Sequence, residues 1–144
     1  MGRRMRRLGL VATTALAATV TAACAPLPVA CPAVGYFSTL SVTLAEPRDD
    51  VALELCLSAG CAPAPLDELA SDEAIADGLF GEASGDGLEG WTISIMSGGT
   101  DAVGYRLLDV AGTVLAEGEV EPEWVRVGGS EQCGGPTEAE IVLG

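Results

Sequence analysis

Short runs in which every second side chain is apolar recur through this chain, and they constrain its fold more than any other feature. A strand places successive side chains on opposite faces, so period-two alternation marks a strand with one buried face. Leu40, Val42 and Leu44 alternate with Ser41 and Thr43 within Tyr36–Leu44. Val51, Leu53, Leu55 and Leu57 alternate with Glu54 and Cys56 in the next run. Trp91–Met96, Ala102–Val110, Thr113–Val120, Pro122–Val127 and Thr137–Leu143 continue the pattern. Seven short strands separated by turn residues predict an all-β, two-sheet antiparallel sandwich, immunoglobulin-like in the broad sense.

One stretch breaks the rhythm. Pro65 and the acids that follow it predict a short helix over Leu66–Ala76. Gly78–Gly90 is rich in glycine and acids and reads as a mobile loop.

The N-terminus carries an address. Met1–Arg7 holds four arginines, and Leu8–Ala23 is uncharged and built mainly from Leu, Val, Ala and Thr. A basic stretch, a short apolar stretch and small residues at a cut site make a secretory signal. The apolar run falls short of the ~20 residues that a spanning helix needs. Thr21-Ala22-Ala23-Cys24 resembles the cleavage box of bacterial lipoprotein precursors, although Thr21 stands where that family usually has an aliphatic residue. The resemblance implies cleavage before Cys24 and a diacylglycerol on its thiol. The domain boundaries expected are 1–23 for the signal, 24–34 for the acylated cysteine and a Pro-rich tether, and 35–144 for a single β domain. Taken whole, the chain also resembles small actinobacterial surface lipoproteins. That likeness rests on Cys31-Pro32-Ala33-Val34-Gly35-Tyr36 and Cys133-Gly134-Gly135-Pro136, and it brings no activity with it.

Cysteine parity points the same way. The chain has five cysteines, and acylation of Cys24 leaves four for two disulfides. Four cysteines allow three pairings. Cys56 and Cys61 flank a short turn, while Cys31 and Cys133 each precede a terminal strand. The expected pairs are therefore Cys56–Cys61 and Cys31–Cys133.

Charge limits the partners. Four of the seven arginines lie in the leader, so a chain cut before Cys24 sets three arginines against 21 acids, a net charge of −18. Such a surface opposes nucleic acid, which is bound by neutralising phosphates with Lys and Arg. Lysine, histidine and asparagine are absent. Without His or Lys, the usual nucleophile–base pairings are missing. Ser97 sits in Ile95-Met96-Ser97-Gly98-Gly99, which is no nucleophile elbow. The cysteine spacing and the lack of His argue against a zinc site. The acids at Asp67–Asp77, Asp86–Glu89, Glu117–Glu123 and Glu131–Glu140 lack an EF-hand spacing and read as solvated faces.

The expectation is a non-catalytic module with no cofactor and no metal. It is tethered by acylated Cys24 to the outer face of the cell membrane, where it binds a protein or another envelope ligand. The alternatives are a carboxylate-dependent envelope hydrolase and a calcium-responsive structural module.

Overall fold

The computed structural model describes residues 30–33, 35–70, 81–96 and 98–144. Contacts divide the chain into Met1–Ala30 and Cys31–Gly144, and the fold described is that of the second unit. Cys24 and the proposed signal lie outside the described residues.

Among the described residues, nine strands form two sheets. In chain order they are β1 (Ser38–Leu44), β2 (Val51–Cys56), β3 (Ala64–Pro65), β4 (Gly81–Asp86), β5 (Gly90–Ile95), β6 (Val103–Asp109), β7 (Val114–Val120), β8 (Val125–Arg126) and β9 (Thr137–Leu143). The first sheet has the order β4-β5-β1-β9-β8, and the second β3-β2-β6-β7. All seven predicted runs contain strands, and β3 and β4 are additional. The sandwich is the expected one, with one exception to the antiparallel rule. β1 and β9 run parallel, from Thr39 opposite Glu138 to Leu44 opposite Leu143.

Alternation builds the core. Leu40 and Val42 of β1, Ile93 and Ile95 of β5, and Ile141 and Leu143 of β9 point inward from the first sheet. Leu53 and Leu55 of β2 meet them with Val103 and Leu107 of β6. Each such side chain contributes about 1.5–3 kcal/mol when fully buried. Trp91 is buried in this core, as its strand position predicts. Trp124 is half-buried against it and donates its indole N–H to the Thr100 carbonyl at 2.7 Å. Buried Ser38 is satisfied by Thr137, whose hydroxyl lies 2.8 Å away.

Two expectations need correction. Gly81–Asp86 is a paired strand rather than part of a mobile loop, and it forms a hairpin with β5 from Gly81 opposite Ile95 to Asp86 opposite Gly90. The Asp86 carboxylate closes the turn by accepting the Leu88 and Glu89 N–H groups, both at 2.9 Å. At Gly85, φ is +117°, and a Cβ would sit 2.0 Å from the Gly90 carbonyl oxygen. Only glycine allows that approach. The predicted helix over Leu66–Ala76 is a 3-10 turn at Leu66–Ala70, and its remainder lies outside the described residues.

The β6–β7 hairpin is closed the same way. Asp109 accepts the Ala111 and Thr113 N–H groups at 2.9 and 2.8 Å, and Gly112 supplies a positive φ. These contacts hold the Asp109 carboxyl below its usual range. The Thr113 hydrogen bond is the largest cause; desolvation opposes it and the Ala111 bond adds to it. A depressed folded pKa means stabilisation that is present above the ordinary carboxylate value of ~3.9 and is lost as pH falls through the lower folded one. Asp109→Ala is therefore expected to lower the urea midpoint near neutral pH, with the gap to wild type closing at acid pH. A gap that stays constant to the acid limit would remove the carboxylate from this account.

Candidate functional site

Both expected disulfides are present. Cys31–Cys133 joins residues 102 apart in sequence with a Cα–Cα distance of 5.2 Å. Cys56–Cys61 closes a separation of 5 with a Cα–Cα distance of 6.0 Å. The first works because β1 and β9 are parallel, so the segments that lead into them arrive at the same end of the sandwich. It also ties Cys31 to the segment that leads into β9. The second lies on the outer face of the second sheet, where a Cβ on Gly104 would meet the Cys56 sulfur at 2.7 Å. Cys24, the expected lipid site, lies outside the described residues, as does Ser97.

Several of the acids do structural work. Asp86 and Asp109 close turns. Glu54 and Glu117 flank Arg106 across three strands, at 3.0 and 3.4 Å from its guanidinium. Glu119 accepts the Gly60 N–H at 2.7 Å and so holds the small disulfide loop to β7. Among the described residues, no three of His, Cys, Asp and Glu gather so as to hold a metal ion.

The feature that the sequence does not announce is a cavity of about 420 Å³ at the far end of the sandwich from Cys31 and Cys133. Small-ligand sites occupy ~300–1,000 Å³. Its walls come from both sheets: Leu44 and Leu143 from the first, Val51, Leu107 and Ala116 from the second. Leu107 and Leu143 are buried, while Leu115 at the lip is 46% exposed. The pairing of β6 with β7 slips between Leu107 and Leu108, which leaves Leu115 as an extra residue in the β7 strand. Such a bulge bends its strand and re-aims side chains, and here it brings Leu115 to the cavity mouth.

The rim is the Glu46–Asp50 turn, which in the sequence reads only as a connection. It is held by the Ala45 N–H on the Leu143 carbonyl at 2.7 Å and by the Arg48 N–H on the Gly87 carbonyl at 3.0 Å. Arg48 grips Asp50 with two hydrogen bonds, at 2.5 and 2.6 Å. That pairing is the main cause that raises the guanidinium pKa; desolvation opposes it, and the charges of Asp50, Asp109 and Glu46 add to it. Asp50 is lowered in turn, first by the same hydrogen bonds. Because the cavity draws on residues scattered from Leu44 to Leu143, no contiguous motif announces it. The one signal in the sequence is an arginine among acids in a turn, beside apolar strand ends.

No family model, curated protein or solved structure matches the chain.

Proposed function

We propose that this chain is a non-catalytic, lipid-tethered extracytoplasmic binding module that takes its ligand in the cavity at the open end of the sandwich. The observation that carries the reading is the cavity itself: aliphatic walls from two sheets beneath a charged, hydrogen-bonded rim. Pockets that bind small molecules combine mostly apolar walls with a few placed polar groups. The two disulfides suit an oxidising, extracytoplasmic compartment. Among the described residues no helix is long and apolar enough to cross a membrane. Anchoring is assigned to Cys24 on the strength of the leader and of cysteine parity. A tether that joins the domain at Cys31 leaves the cavity mouth at the opposite end from that junction.

The test of the anchor is the intact mass of the mature protein from its native membrane, with and without reduction before alkylation. The expected result is an acylated N-terminal Cys24 and four cysteines that alkylate only after reduction. An unmodified N-terminus with a freely alkylating thiol sinks the tether. Binding is read separately, by following backbone amide resonances as small octyl-chain compounds are added.

A further inference from the structure

We infer that the cavity selects an aliphatic ligand with a cationic head group, of the alkylammonium class. The inference rests on the binding reading above and names the ligand chemistry of that site. The walls offer aliphatic contact and no aromatic face, so they suit a saturated body, attracted by apolar burial in proportion to area. Direction comes from the rim. Glu46 lines the mouth beside Arg48. Asp50 occupies the Arg48 guanidinium with both carboxylate oxygens. Of the two charged side chains that line the mouth, Arg48 is thus already engaged by Asp50, while Glu46 makes no ion pair among the described residues. An anionic head would have to displace Asp50 from Arg48 and then face Glu46. A cationic head meets the Glu46 carboxylate at the mouth without breaking an ion pair. The acid excess of the whole domain adds attraction of the same sign. The turn that carries the rim is tied by backbone hydrogen bonds to β9 and to the β4–β5 turn, so its charges are placed before a ligand arrives.

The experiment compares n-octylammonium, n-octanol and n-octanoate, each below its micelle concentration, against the folded domain. Affinity and site are read from amide shifts at Ala45, Val51, Ala116 and Gly144. At low ionic strength octylammonium is expected to bind about tenfold or more tightly than octanoate, with octanol between them. The spread is expected to shrink in concentrated salt, where the Debye length falls to ~3 Å at 1 M. Glu46→Lys changes an exposed turn side chain and is expected to remove the preference for the cation. Ala116→Leu is expected to weaken all three by occupying the cavity. Equal affinities, or tightest binding of octanoate, would overturn the head-group assignment and leave a binding cavity in place. Shifts elsewhere, or none with any of the three, would overturn both.

Discussion

Replacing Cys31 and Cys133 together by serine is expected to destabilise the domain by about 4–5 kcal/mol, since closing a ~100-residue loop removes that much denatured-state entropy. The bond spans 102 residues, almost the whole folded unit. In a domain of this size the loss corresponds to a fall in Tm of about 15–25 °C. The other disulfide is the internal control. Cys56 and Cys61 are 5 apart, and the same relation assigns such a small loop about 2 kcal/mol. Urea unfolding of the two double-serine variants therefore separates the bonds by size of effect. Equal losses would show that local geometry, not loop closure, sets their contributions. The large staple matters because β1 and β9 are a parallel pair. Parallel neighbours cannot be joined by a tight turn, and here nearly the whole domain is their crossover. The disulfide holds together the N-terminal ends of two paired strands that lie almost a whole domain apart in sequence.

Alternation makes seven strands legible, and in β1, β5 and β9 the buried positions do fall at every second residue. It does not show which strands lie side by side. Leu40 and Ile141 announce inward faces, yet nothing local tells β9 to run parallel beside β1. The cysteines come closer to that information: Cys31 and Cys133 each precede a terminal strand, and their pairing requires β1 and β9 to start side by side. β4 stays hidden for the opposite reason. Its sequence, GEASGD, has one half-buried apolar side chain, Ala83, among glycines and polar residues. An edge strand held by backbone pairing to β5 does not need the alternation that marks its neighbours. β3 has two residues, too few for any period. The cavity is illegible because its walls are assembled from strand ends far apart in the chain. Its electrostatic character is partly visible, as an arginine set among Glu46, Asp49 and Asp50.

The acids divide along a similar line. Pattern alone assigns them to water, and Glu138 and Glu140 on the outer face of β9 fit that assignment, since both are exposed while Ala139 and Ile141 between and beside them are buried. Asp86, Asp109 and Glu119 do more. Each accepts a backbone N–H at a turn or loop that no strand partner satisfies. Such contacts draw on charge to satisfy backbone donors.

Ile93→Ala is expected to cost about 4–5 kcal/mol, the upper end of the ~2–5 kcal/mol range for truncating a buried aliphatic side chain. The reason lies in its neighbours. Across the first sheet, Ile93 stands opposite Leu40 on one side and Ala83 on the other, and Leu40 in turn stands opposite Ala139. Ile93 and Leu40 are the two large side chains of that row, bounded by an alanine at each end. Cavity cost rises when surrounding groups cannot collapse into the void, and alanine has no side-chain reach with which to do so. Ile93 itself has no exposed surface, so water gives no relief. Truncating Val142, which is on the same sheet but 62% exposed on its outer face, is expected to change stability by less than about 0.5 kcal/mol. The comparison is made by urea unfolding of both variants. With a native stability of ~5–15 kcal/mol, the Ile93 variant approaches the limit of folding. Should Ile93→Ala cost no more than about 1–2 kcal/mol, the row would have to be able to close over the gap, and the packing of β4 against β5 would be looser than the paired register implies. The packing also bears on the functional proposal: Leu44 and Val51, which line the cavity, pack against the same core cluster that Ile93 belongs to.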